Sequence, residues 1–282
     1  DLQTSLSKLV EAEILYQRGV REQTHYFFKH ALIQDTAYQS LLKSTRQQYH
    51  QQIALVLEER FSDIKETQPE LLAHHYTEAG LTEQAIPYWQ RAGAQASQRF
   101  AFVEAVNHFT KGLVLLKTQP DTLERAQQEL ALQIALGGSL MATKGGGALE
   151  VGATYTRARE LCQRMGETPQ LFSVLSGLRV FHLIRGEYQT ARKLGEQMLR
   201  VAQSVQDSTF LLEAHYALGT TFLFLGEFAL ARVHFEQGIA LYDSQLQRTS
   251  TSVSGQDLGA PCRANEGYVL WLLGYPDQAL NR

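Results

Sequence analysis

Apolar residues along most of this chain recur three and four positions apart, the spacing of one face of an α-helix. Tyr188, Ala191, Leu194, Met198 and Val201 are one such stripe. The stripes themselves return at a fixed interval. The segments GEYQTARKLGEQMLRVA (186–202) and GEFALARVHFEQGIALY (226–242) place Gly186 and Gly226 40 residues apart, and Gly146 lies 40 before Gly186. Upstream of the glycines, Leu171 matches Leu211 and Leu178 matches Leu218. An alanine follows five residues after Gly80, Gly186, Gly226 and Gly274, at Ala85, Ala191, Ala231 and Ala279. This predicts a repeating unit of about 40 residues. A first helix of about 16 residues runs into Leu-x-x-Gly. The glycine permits a left-handed exit, and a second helix follows. The small alanine lets the two helices approach closely. Each pair buries one face internally and the other on its neighbour, so the pairs stack into a solenoid.

Departures from the repeat are informative. Ala101 to Leu116 reads as a second helix, with Ala105 and Phe109 in phase but Phe100 where glycine is expected. It starts 20 residues after its predecessor, so the helix over 82–98 is expected to serve in two pairs. The Gly146 unit carries Val151 in place of alanine, while Tyr155 and Ala158 keep the packing phase. Gly145 to Gly147 read as a break between helices. Residues 246–258, LQRTSTSVSGQDL, stretch the step from Gly226 to Gly274 to 48 and read as a long, mobile loop. The first 60 residues lie outside the repeat. They predict a helix over Leu2–Ala12, two short strands in ILYQRG and THYFFKH, and helices over Ala31–Leu42 and Thr45–Phe61.

The residues Leu218-Gly219, Gly226, Ala231 and Phe235, with Gly80, Ala85, Trp89 and Ala92, resemble the tetratricopeptide (TPR) pattern in a longer-period form. That resemblance implies a concave side lined by first helices. Tyr216, Thr220, Phe224, Tyr268 and Trp271 fall there, as a groove for a protein or peptide partner. The competing reading packs Phe224 and Trp271 under the next repeat. Most other aromatics, Phe181, Tyr188, Phe228 and Phe235 among them, are expected in the core.

The N-terminal helix, hairpin and helix resemble the end of a winged-helix domain. YFFKHALIQD (26–35) is similar to the strand-to-helix junction of STAND-class signalling ATPases, whose histidine there contacts the β-phosphate of bound ADP. By that resemblance His30 is the nucleotide-sensing residue of a parent protein. Ala31 replaces the family's aspartate, which removes a second polar contact. FKHALIQDTAYQSLL, PELLAHHYTEAG and EQAIPYWQRAG further resemble bacterial predicted ATPases often joined to nucleotide-cyclase domains. The expected organisation is all-α. Residues 1–43 end a winged helix with its short hairpin, 44–68 form a helical connector, and 69–282 form TPR-like repeats.

Composition narrows the chemistry. The chain has 282 residues, 44% hydrophobic and 20% charged, with 26 Lys and Arg against 29 Asp and Glu. A net charge of −3 gives no footprint for nucleic acid or an anionic membrane. Two cysteines exclude a disulfide framework. Cys162 reads as a small buried hydrophobe. No apolar run reaches the length that crosses a bilayer. Leu171 to Ile184, the most apolar stretch, is interrupted by Arg179 and His182. The chain opens at Asp1 without Met or leader, and reads as a piece of a longer cytoplasmic protein.

No G-x-x-x-x-G-K-[ST], H-E-x-x-H or G-x-S-x-G occurs. His74 and His75 are adjacent on a helix and are expected to point apart, with packing or surface roles. No catalytic residue, metal site or cofactor is expected in this segment, and ATP or ADP is implied only for the parent. The reading is a non-catalytic interaction and sensor module that regulates an upstream ATPase domain in cis. The alternatives are the regulatory arm of a nucleotide cyclase and a segment of a DNA-binding regulator.

Overall fold

A computed structural model describes residues 2–19, 24–166, 169–242 and 258–282. The chain divides into two compact units, Asp1–Tyr88 and Trp89–Arg282. The division falls inside a continuous helix, α6 (Thr82–Gln98).

The first unit opens with α1 (Leu2–Glu11) and a hairpin of β1 (Leu15–Arg18) and β2 (His25–Phe28). The strands pair antiparallel, Leu15 opposite Phe28 and Arg18 opposite His25. Only Leu15 of β1 is buried, while Tyr16 and Phe27 stack across the exposed face at 5.1 Å. Four helices follow before α6: α2 (Ala31–Ser40), α3 (Lys43–Arg60), α4 (Ser62–Thr67) and α5 (Pro69–Glu78). Ala54 of α3 and Leu72, Ala73 and Tyr76 of α5 form the core between those two helices. The α2 helix buries none of its residues, although it carries Leu32, Ile33 and Tyr38.

The second unit continues as helix pairs. Its elements are α7 (Phe102–Leu116), α8 (Leu123–Lys144), α9 (Leu149–Met165), α10 (Leu171–Ile184), α11 (Tyr188–Val205), α12 (Ser208–Leu225), α13 (Phe228–Leu241), α14 (Gly259–Leu272) and α15 (Pro276–Leu280). The helix ends carry the expected signatures. Gly186, Gly226 and Gly274 have φ of +76°, +77° and +87°. Phe100 takes the same left-handed conformation, with φ +60°, so the backbone keeps the repeat's turn where the sequence lacks its glycine.

One turn glycine differs from expectation. The positive-φ residue after α8 is Gly145, with φ +83°, and not Gly146. Gly146 answers to a different constraint: it lies under the next first helix, where an added Cβ would come within 2.6 Å of Ile184 Cδ1. The 246–258 loop lies outside the described residues except for Leu258, which precedes α14 and is buried.

Packing within a pair follows one device. Phe235 of α13 is fully buried against Gly219 of α12, where an added Cβ would sit 2.6 Å from its ring. Phe109 of α7 meets Gly93 of α6 the same way, at 2.4 Å. So α6 is the first helix of a pair with α7, as its spacing predicts. Each fully buried phenylalanine contributes roughly 1.5–3 kcal/mol. Ala105, Ala191 and Ala231 are fully buried at the crossings. Phe181, Tyr188 and Phe228 are half-buried rather than enclosed.

Candidate functional site

Two rows of helices result from this stacking. The first helices touch in succession, α8 with α10, α10 with α12 and α12 with α14. No comparable contact joins α9 to α11 or α11 to α13. The five groove residues expected from the sequence lie on two helices of this closer row, α12 and α14.

The structure separates those five. Tyr216, Thr220 and Phe224 lie one turn apart along α12. Tyr216 is half-buried with its ring 6.3 Å from that of Phe235, so it belongs partly to the core. Thr220 donates its hydroxyl to the carbonyls of Tyr216 and Ala217, each at 2.9 Å. Phe224 is 57% exposed and stacks on Tyr188 at 5.9 Å. Tyr268 and Trp271 of α14 are 56% and 59% exposed. Tyr268 shares the repeat phase of Thr220, whereas Trp271 shares that of Leu223, a half-buried residue packed on the core.

Beneath Thr220 lies a residue with no place in the expected groove. Arg179 of α10 is only 6% exposed. Its Nη1 donates to Thr220 Oγ1 at 3.3 Å and to the Ala217 carbonyl at 3.4 Å. Burial pushes its guanidinium down to about 10, opposed by Tyr216 and Glu213 nearby, so it stays charged at neutral pH. Ser176 of α10 donates to Glu213 of α12 at 3.2 Å along the same seam. The one hint in the sequence was a charge inside its most apolar stretch.

Histidine clusters are the other feature that the sequence hid. His215 and His234 face each other Nδ1 to Nδ1 at 3.0 Å across α12 and α13. Burial lowers both, with His215 adding to the effect on His234, which falls to about 4. One imidazole donates and the other accepts, so the pair requires a neutral partner.

In the first unit His50 Nδ1 lies 2.8 Å from His75 Nδ1, and its Nε2 lies 2.9 Å from the Tyr38 hydroxyl. His74 does not point away from His75 as expected. Both rings turn onto His50, with centroids 5.7 and 5.0 Å from it and 5.4 Å from each other. The cluster edges a cleft of about 790 Å³, lined also by Phe28, Arg46, Tyr49 and Glu78. Glu58 of α3 gathers two hydroxyls and a lysine in the same unit. Burial alone would raise it, but the Tyr76 and Tyr88 hydroxyls and Lys65 outweigh that and hold it below the usual carboxylate range.

His30 precedes α2 as its N-cap, in extended backbone with φ −134° and ψ 128°. Its side chain makes no capping hydrogen bond, and it is exposed. Cys162 is buried, as its helix position predicts. Among the described residues no group of three or more His, Cys, Asp or Glu is placed to hold a metal ion. No helix among them is long and apolar enough to cross a membrane.

Comparison with known proteins agrees with the helix-pair architecture. Residues 170–244 match the tetratricopeptide repeat family model. A curated relative, an uncharacterized protein of Rhizobium meliloti (strain 1021), is 27% identical over 289 residues, covering 100% of this chain and 28% of the relative. The chain thus spans little more than a quarter of that relative's length. The apo form of the quorum sensor NprR from B. thuringiensis is similar in structure, with TM-score 0.58 at 12% identity, over 100% of this chain and 74% of that one. A Rap protein complexed with competence and sporulation factor gives TM-score 0.55 at 11% identity, over 89% and 74% of the two chains. BtubC (BKLC) from P. vanneervenii gives 0.54 at 10%, over 86% and 88%. At such identities the similarity establishes the fold, an all-α stack of TPR-like helix pairs.

Proposed function

We propose that this chain is a non-catalytic sensor and interaction module. It takes a protein or peptide partner on the closer row of first helices and thereby regulates a STAND-type ATPase domain upstream in the same cytoplasmic protein. One observation carries the first half. Phe224, Tyr268 and Trp271 each leave more than half of their surface in water on that row. Large rings offered to solvent along one row are the anchors on which binding energy concentrates. The Rap and NprR structures support the reading, since one is complexed with competence and sporulation factor and the other is a quorum sensor.

The second half rests on the STAND-like junction at YFFKHALIQD. His30 spends no hydrogen bond on capping α2, so its imidazole is available to a phosphate oxygen. In the parent it would hold the β-phosphate of ADP. ATP and ADP belong to the upstream domain, and this segment needs no cofactor of its own. A partner in the groove biases the packing of the N-terminal unit against that domain.

Release of labelled ADP from the full-length parent, followed by stopped flow, tests both halves. A charge-assisted hydrogen bond of about 1.5–3 kcal/mol implies that His30→Ala speeds release roughly ten- to a hundredfold. Random heptapeptide pools should change the wild-type rate, and Phe224→Ser with Trp271→Ser should abolish that response. Equal off-rates for wild type and His30→Ala sink the latch. A wild-type rate that no pool alters sinks the sensor.

A further inference from the structure

Arg179 is a charge that the repeat does not require. Its equivalents in the next two first helices are Gly219 and Gly267, so the repeat does not need a side chain there. It is buried within α10, a mostly apolar helix. Buried cations are ordinarily paired, because leaving one unpaired costs more than placing an apolar residue of similar volume. Arg179 forms no ion pair among the described residues. Its Nε is sealed from solvent and bonds nothing. The two bonds it does make, at 3.3 and 3.4 Å, are at the long end of the range and easily exchanged. Glu213, itself buried, acts on the charge electrostatically without forming an ion pair with it, and its Oε1 accepts from Ser176.

We propose that Arg179 is the anion-reading subsite of the groove and receives the side-chain carboxylate of an Asp or Glu from an extended peptide. The proposal rests on the groove reading above. Charge complementarity chooses the occupant: a planar guanidinium with unspent donors matches the two oxygens of a carboxylate. Thr220, which touches both Arg179 and the groove surface, supplies a hydroxyl beside it. Tyr216 and Phe224, one turn to either side, offer rings for the peptide's neighbouring apolar residues. Recession selects the source of the carboxylate. At 6% exposure the guanidinium lies below the ridge of the rings. A side chain can reach down from a backbone lying on that ridge, whereas a C-terminal carboxylate would bring its backbone into the seam. Glu213 repels a second acid at the same place, so the site reads one.

Affinity selection on the immobilised chain tests this. The probes are N-acetylated random heptapeptide pools of three kinds: complete, complete but C-terminally amidated, and lacking Asp and Glu. The complete pools should be retained equally with and without the C-terminal charge, and the acid-free pool at least tenfold less. Individual peptides so selected should bind Arg179→Met ten- to a hundredfold more weakly. The melting temperature of Arg179→Lys, which keeps the positive charge beside Glu213, should match the wild type's.

Undiminished binding to Arg179→Met, equal retention of the acid-free pool, or retention that follows the C-terminal carboxylate would each overturn the subsite and leave the groove standing. A lowered melting temperature in both Arg179→Met and Arg179→Lys would make the residue structural and overturn it too. Retention of no pool by the wild type would remove the groove itself.

Discussion

Replacing Glu266 by leucine should stabilise the protein, although Glu266 has a partner. The pair Glu266-Gly267 occupies in α14 the repeat position of Leu218-Gly219 in α12, and Leu178 holds the same position in α10. Those leucines are 3% or less exposed and Glu266 is fully buried, so a carboxylate sits where the unit packs a hydrophobe. Arg282 Nη2 lies 3.0 Å from Oε1 and is itself 44% exposed. Neither carboxylate oxygen has a well-aligned hydrogen bond. Burial raises the Glu266 carboxyl above its ordinary value. Arg282 pulls it back, Glu236 pushes it further up, and Arg232 opposes.

Exchanging a buried ion pair for apolar packing of similar volume gains from nothing to about 4 kcal/mol. Because Arg282 keeps part of its hydration, the lower half of that range applies, about 1–2 kcal/mol. For a unit of this size each kcal/mol moves the melting temperature by about 2–4 °C. The gain should depend on pH. A carboxyl whose pKa is raised by folding holds its proton more tightly in the folded state. Its contribution is fully present below the unfolded value, about 4.3, and is lost as pH rises through the folded value. The advantage of Glu266→Leu should therefore be smallest near pH 4 and widen to a plateau above the folded value. Thermal unfolding followed by circular dichroism at pH 4 to 8 measures it, and Glu266→Gln separates charge from volume. A leucine variant less stable than wild type at pH 7, by a margin that does not change with pH, would refute the reasoning.

Phe100→Gly should raise stability by about 0.5–1 kcal/mol. Relief of a left-handed non-glycine residue, about 1–2 kcal/mol, exceeds the flexibility cost of glycine, and the 79% exposed ring loses little packing. Calorimetry showing a loss would contradict it. Gly219→Ala should cost about 1–3 kcal/mol, because its Cβ would meet the Phe235 ring at 2.6 Å. Phe235→Leu should cost less in that background than alone, a coupling that a double-mutant cycle reads. His75 and His234, both lowered to about 4 chiefly by burial, contribute stability that is full above about pH 6.5 and is lost as pH falls toward 4. Urea midpoints across that window should fall more steeply for wild type than for a variant with both histidines changed to Gln.

The turn glycines and crossing alanines were legible in the sequence because each acts locally and recurs with the period. Gly93 and Gly219 were harder to interpret. A glycine inside a helix looks like a weakness until the phenylalanine it admits is brought against it from the next helix. Three consecutive glycines offer the same backbone freedom, so the sequence could not choose Gly145 over Gly146. What holds Gly146 as glycine is Ile184, 38 residues away in α10. The same distance hid the histidines. His74 and His75 converge only because α3 presents His50 to both. Phe224, Tyr268 and Trp271 are exposed, Trp271 despite sharing the phase of half-buried Leu223, while Tyr216 is drawn partly inward by Phe235.

A repeat protein supplies its own controls, and they distinguish packing from recognition. Positions filled alike in successive units, such as Ala191, Ala231 and Ala279 or Gly186, Gly226 and Gly274, answer to geometry that every unit shares. A departure at such a position needs a reason of its own. Two departures here bury a charge: Arg179 where the later units have glycine, and Glu266 where the earlier ones have leucine. They are not equivalent. Glu266 meets a cation supplied locally, just past α15, so its charge is answered within its own unit at some cost in stability. Arg179 hydrogen-bonds only a carbonyl and a hydroxyl at long range, with the buried Glu213 carboxylate acting on it electrostatically, on a row of helices that also offers exposed rings. That difference is what the proposed anion subsite accounts for: the donors that Arg179 leaves unspent beside Thr220 are the ones an incoming carboxylate would take.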